Sequence, residues 1–439
     1  MTRILVSLLF GVICCCAQEP SAIAIRGARI VPVSGPPIAA GTVLIRDGII
    51  KAVGENVAIP PGAWIVEGKD LTVYPGLIDA LSTLGLPDAA PPASGAARTP
   101  STTPAPTTPA TPPEPPARGP EDRPMTSSWL NAADLLRPSD NRIERFRSAG
   151  FTSAVTFPNK GILAGQGAVI NLAGDKPGRM VVADSAGQYA TLTTGGFLNF
   201  PGSLLGVFAY IRQTYLDAQH YKAERAAYAA NPRGKARPDY DRALEGILES
   251  KRLLLPAGRA VEINRMIRFA RELKQDAILY GGYEGYRCAG QIKASGVPIL
   301  VNLKWPERQK DADPEEIESY RVLEDRDRAP STAAEFVKAG VKFAFYSGGD
   351  NPRDVMANLR KAIAAGLSED DALRALTLSP AEIYGVADRL GSIEQGKIAN
   401  LVVAKGSLFQ EKPQVQFIFV DGVKFEPVPE PPPPSGGAQ

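Results

Sequence analysis

Histidine is nearly absent from this sequence: one residue, His220, in 439. Histidine is the commonest metal ligand in proteins and the commonest acid or base at neutral pH. Its scarcity narrows the available mechanisms before any motif is read. A lone ligand cannot make a metal site, since three or four are normal. His220 lies in LDAQHYKAERA and reads as a solvent-facing helical residue. Cysteine is also scarce, with four residues, three of them adjacent at Cys14, Cys15 and Cys16. Charge bias is missing too: 49 Lys and Arg face 47 Asp and Glu, a formal net charge of +2. No basic run interleaved with aromatics appears, so a nucleic-acid partner is not expected. Beyond the N-terminal segment, no apolar run reaches the length of a membrane-spanning helix.

The N-terminus reads as a signal peptide over 1–17. Arg3 supplies the positive end, and 4–16 is an apolar stretch too short to span a bilayer. Ala17 follows Cys15 and Cys16 as small residues for cleavage, with Gln18 as the mature start. Export to the periplasm or the extracellular space follows, with no membrane association after cleavage. The mature chain would then keep only Cys288, which excludes an intrachain disulfide.

Hydrophobic content of 44% and charged content of 22% are ordinary for a globular protein. Residues 22–66 alternate apolar and polar positions in short strands, and Asp47-Gly48 between two of them is a hairpin signal. Residues 87–125 are rich in Pro, Ala and Thr with almost no aliphatics, which predicts a disordered insertion. From 252 to 348, strands such as RLLLP, AILYG, VPILVNL and VKFAFYS alternate with helices, implying a parallel sheet. Short strands return over 392–426 with an Asp421-Gly422 turn, and 427–439 reads as a disordered proline-rich tail. Each terminal β segment is too small to fold well alone, so the two are expected to pack together.

Three stretches carry a family resemblance: Tyr74-Pro75-Gly76-Leu77-Ile78-Asp79-Ala80, the early AGFTSAVTFPNKG and GQGAVINLAG, and the late GLSEDDALRALTLSPAEIYGVADRLGSIEQGKIANLVVAKG. Together they resemble the amidohydrolase superfamily, nearest to its imidazolonepropionase-like branch. The resemblance implies an α/β fold: a distorted TIM (β/α)8 barrel over 73–391, inserted in a small composite β-sandwich domain built from 18–72 and 392–426. The family hydrolyses non-peptide carbon–nitrogen bonds with zinc or another divalent metal. The metal lowers the pKa of a bound water and polarises the carbonyl.

The ligand positions implied by the resemblance are not filled by ligands. The family motif PGLIDxHxH places histidines where Leu81 and Thr83 stand. LLPAGRAVEI puts Pro256 or Gly258 at the later ligand, AILYGGYEG puts Gly281 or Gly282, and FAFYSGGD puts Gly348 or Asp350. No metal cofactor is therefore expected. Asp79 and Asp350 remain candidate catalytic carboxylates, with the structural readings that Asp79 is a loop residue and Asp350 a helix cap. Leu81, Thr83, Glu284, Asn302, Lys304, Tyr346 and Ser347 are candidate pocket residues, and Tyr283 and Tyr286 either line the pocket or pack in the barrel rim.

Three functional readings follow. The first is a catalytically silent family member that binds a small molecule, as a homo-oligomer or paired with a histidine-complete paralogue. The second is an atypical metal-free hydrolase, which requires Asp79 and Asp350 to converge. The third is an extracellular structural or interaction module displaying the proline-rich insertion.

Overall fold

The computed structural model describes residues 22–87, 119–196, 199–308, 313 and 315–428. The expected signal peptide, most of the proline-rich insertion and nearly all of the tail lie outside the described residues. Five N-terminal strands come first: β1 (Ile23–Ile30), β2 (Ile38–Arg46), β3 (Ile49–Gly54), β4 (Trp64–Glu67) and β5 (Thr72–Pro75). Eight barrel strands follow: β6 (Leu77–Ser82), β7 (Phe151–Thr156), β8 (Leu163–Asn171), β9 (Val181–Ala190), β10 (Leu253–Ala257), β11 (Ala277–Gly281), β12 (Ile299–Asn302) and β13 (Phe343–Tyr346). The chain closes with β14 (Leu401–Lys405), β15 (Gln414–Val420) and β16 (Val423–Phe425).

Both chain ends build one hydrogen-bonded sheet, in the order β16-β15-β14-β5-β1-β2-β3, with β4 also on β1. Two Asp-Gly turns shape it. Asp47 and Gly48 have φ of 54° and 74°, and Asp421 and Gly422 have 53° and 75°. Positive φ at both central residues is what the tight two-residue hairpin turn requires. The two turns also meet, since a Cβ on Gly422 would lie 2.7 Å from Cα of Gly48.

The chain passes from this sheet to the barrel at Gly76. A Cβ there would come within 2.0 Å of Thr152 Oγ1, so only glycine allows the close approach. A buried polar network ties the sheets together. Asn400, just before β14, donates to Ser153 Oγ at 2.9 Å and to Asn171 Oδ1 at 2.7 Å, and accepts from the Asp421 N–H at 2.8 Å.

The barrel sheet runs β13-β12-β11-β10-β9-β8-β7-β6. It departs from eight repeated strand–helix units at β8, which is antiparallel to both β7 and β9. The connections 157–162 and 172–180 explain this: a parallel crossover needs a dozen or more residues. Every residue of β6, β7 and β8 is buried. Burial on both faces explains their near-continuous apolar runs. The lumen is filled by side chains that include Ile78, Leu81, Phe157, Leu254, Tyr346 and Tyr384.

β13 lies beside β6 at a seam without a backbone ladder in the sheet. The helix Leu378–Tyr384 fills part of it, and the Tyr384 hydroxyl donates to the Ala80 carbonyl at 2.7 Å. The Ile78 N–H donates to the Leu376 carbonyl at 2.7 Å.

The last residues of the expected insertion are folded. Pro120–Asp122 is a short 3-10 turn, and the Arg123 guanidinium pairs with Asp217 at 2.6 Å and Asp241 at 3.2 Å. This charge clamp anchors a segment that composition alone reads as disordered. Among the described residues, no helix is long and apolar enough to cross a membrane.

Candidate functional site

Asp79 sits in β6 with no solvent exposure. Its Oδ1 accepts from the Ser347 N–H at 2.9 Å, and its Oδ2 accepts from the Ser347 hydroxyl. The Leu81 N–H adds a long contact at 3.5 Å. Burial penalises the charged form and outweighs these three donors, pushing the carboxyl from 3.8 up to about 6. Ser347 follows β13 directly, so the pair spans the barrel seam.

Asp350 has different neighbours. Its Oδ1 lies 3.6 Å from Lys304 Nζ, and its backbone N–H donates to the Ser347 carbonyl at 3.2 Å. The Lys304 side chain is 71% exposed, so this ion pair is solvent-screened and worth little by itself. The two carboxylate groups that sequence reasoning singled out thus have separate partners, Ser347 and Lys304, although the Ser347 backbone also contacts the Asp350 N–H. Their shared neighbour is Tyr346, a buried phenol pushed well up by burial first and then by nearby charges that include both Asp79 and Asp350. Asn302 lies opposite Tyr346 in the β12–β13 ladder and accepts from the Lys304 N–H at 2.8 Å. Asn302, Lys304, Tyr346, Ser347 and Asp350 therefore form one connected group at the C-terminal ends of β12 and β13.

The remaining sequence candidates are engaged elsewhere. Leu81 packs in the apolar lumen at 5% exposure. Thr83 Oγ1 accepts from Arg142 Nη1 at 3.1 Å, and its carbonyl accepts from Nη2 at 2.9 Å. Glu284 is buried and accepts from the Ala260 N–H at 3.0 Å and from Arg321 at 3.1 Å. Ala260 opens the helix Ala260–Leu273, so Glu284 satisfies one of the free N–H groups of a helix start. Tyr286 donates to Asp325 at 2.8 Å, and Tyr283 packs half-buried against the core. The His220 side chain is 74% exposed and lies 3.0 Å from Glu224 one helical turn on.

Sequence reasoning missed Arg142, Tyr189 and Tyr280. Tyr189 stacks on Tyr280 with ring centroids 5.1 Å apart, and the Tyr280 hydroxyl donates to the Ala190 carbonyl at 2.8 Å. The signal for Tyr189 was its place in VVADSAGQYA, whose alternation is too weak to mark β9.

The residues present do not suit a divalent metal. An apolar side chain in the lumen fills the first motif position, and a guanidinium bonds to the second. That guanidinium is also paired with Asp140 at 2.7 Å, so the Thr83 hydroxyl faces an ion pair already formed rather than open space. Pro256, Gly258, Gly281 and Gly282 at the ends of β10 and β11 bring no side-chain donors. Buried Cys288 has a thiol pushed up to about 11 by burial first and by Glu284 next, which disfavours the ligating thiolate. Among the described residues, no group of three or more His, Cys, Asp or Glu is arranged to hold a metal.

Residues 311–424 match the amidohydrolase family model. An amidohydrolase from Thermotoga maritima MSB8 superposes with a TM-score of 0.71 at 25% identity, covering 92% of this chain and 100% of that one. A prolidase complexed with N-methylphosphonate-L-proline gives 0.53 at 16% identity, over 92% and 99% of the two chains. A structure of molinate hydrolase gives 0.52 at 15%, over 96% and 100%. The fold of this chain is thus the amidohydrolase fold, with its nearly closed eight-stranded barrel sheet and a second sheet beside it.

Proposed function

We propose that this chain is a catalytically silent amidohydrolase-superfamily protein, of the imidazolonepropionase-like branch, that binds a small molecule at the barrel mouth. The observation that carries the proposal is the state of the two motif positions: Leu81 is packed in the lumen, and Thr83 is bonded to Arg142. Neither position offers the imidazole that the family chemistry needs, and among the described residues no cluster of His, Cys, Asp or Glu replaces it. Asp79 does not compensate as a free general base, because both its oxygens accept from Ser347.

A binding role rests on the polar group at the mouth. Asn302, Lys304 and Asp350 offer an amide, a cation and a carboxylate above an apolar lumen in which Tyr346 is packed. A few polar groups over apolar walls are the usual composition of a small-molecule site. Export, and pairing with a second copy or with a histidine-complete paralogue, belong to the same proposal.

The test is an activity screen of the full chain against dipeptides, cyclic amides and ureas, with and without added zinc or manganese. The expected outcome is no turnover above the uncatalysed rate under either condition. Turnover that disappears in Asp79→Asn would overturn the proposal and establish an atypical active site.

A further inference from the structure

A groove of about 530 Å³ opens at the opposite end of the barrel from the candidate site. The segments 296–298 and 340–342, which lead into β12 and β13, form part of its wall, so it lies at the strand N-termini. Its apolar floor includes Ile292, Val297, Pro298, Val341, Phe343 and Ile383. Five charged residues border it: Lys293, Lys342, Arg374, Asp371 and Glu382. Four of them are engaged. Arg374 pairs with Glu382 at 2.8 Å, Lys293 Nζ donates to the Gly340 carbonyl at 2.7 Å, and Asp371 accepts from Ser368 Oγ at 2.6 Å. Lys342 has no ion pair or hydrogen bond from its side chain among the described residues. The Lys293 contact also neutralises a carbonyl at the end of the helix Thr332–Ala339, which would otherwise repel an anion.

From this charge arrangement we infer that the groove is a second binding site, for a small amphipathic monoanion: a carboxylate seated at Lys342 with a hydrocarbon body on the apolar floor. The volume lies within the range of small-molecule sites. The inference is independent of whether the barrel mouth is catalytic, because no groove residue belongs to that site.

Octanoate, octanol and octylammonium, which share a tail and differ in head-group charge, are titrated against the full chain by calorimetry. Octanoate is expected to bind and the other two are not. Lys342→Gln is expected to weaken octanoate about tenfold, the size of one charge-assisted hydrogen bond. Val337→Trp, at a partly exposed wall position on the same groove, is expected to abolish binding by filling it. The inference is overturned if octanoate fails to bind at about 10 mM, the weak end of measurable affinity. It is equally overturned if octanol binds as well as octanoate, or if either variant binds octanoate like the unsubstituted chain.

Discussion

Ser347 and Asp79 lie 268 residues apart in the chain and join the first and last barrel strands through two hydrogen bonds into one buried carboxylate. The sheet order ends at β6 on one side and β13 on the other, so this pair and Tyr384 hold the seam that a backbone ladder does not. Replacing Ser347 with Ala leaves the N–H donor and removes the hydroxyl. A buried acceptor deprived of a partner costs about 1–3 kcal/mol. Urea denaturation should show a loss of that size with an unchanged slope, and an unchanged midpoint would show that the hydroxyl carries no load at the seam.

The same carboxyl makes stability depend on pH. Its pKa is raised in the fold from 3.8 to about 6, so the folded state favours the protonated form more than the unfolded chain does. The contribution is fully present below about pH 4 and is lost as pH rises through 6, the loss reaching about 3 kcal/mol by pH 7. Asp79→Asn should flatten this part of the profile, because an amide does not titrate in this range; its oxygen can still accept from the Ser347 N–H and its N–H donate to Ser347 Oγ, so the seam is kept. An identical slope in the variant between about pH 4 and 7 would assign the dependence to other groups.

Placing histidines at the two motif positions tests whether the barrel mouth can hold a metal. Leu81→His together with Thr83→His places imidazoles at both positions but leaves Pro256, Gly258, Gly281 and Gly282 unchanged. Two ligands fall short of the three or four that a tight site takes. The double variant is expected to lose about 2–4 kcal/mol from the buried leucine position and to bind zinc no more tightly than millimolar. Micromolar zinc binding would show that other oxygen donors complete a site.

Asn400 is the polar bolt between the two sheets. Truncation to Ala strands the Asp421 N–H and removes the donors that Ser153 and Asn171 receive. The expected loss is about 2–4 kcal/mol, read by denaturation, because several buried partners are orphaned at once. A loss under about 0.5 kcal/mol, the size of an ordinary surface change, would mean that water replaces the side chain.

Much of the fold is legible in local patterns. The turns at Asp47-Gly48 and Asp421-Gly422 follow from positive φ, which few residue pairs tolerate. The strands from Leu253 to Tyr346 are visible as apolar runs between helices. The reversed direction of β8 was also in reach, since 157–162 is too short for a crossover. β9 was not visible because VVADSAGQYA mixes buried and half-exposed positions. The site was less legible. That Leu81 and Thr83 carry no imidazole can be read from residue type alone, but what those two residues contact cannot. Arg142 reaches Thr83 across 59 positions, and Ser347 reaches Asp79 across 268. Such partners are set by strand order, which no local period encodes. The same reason separates Asp350 from Asp79: a residue three positions past Ser347 turns outward to Lys304 instead of into the seam.

The central claim, that the barrel has no place for a catalytic metal, is tested most directly by the metal content of the purified chain after growth with zinc and manganese. The account predicts well under one ion per chain, with no change in thermal midpoint on adding a chelator. A stoichiometry near one, lost together with stability on chelation, would contradict it and make this barrel an active-site candidate again.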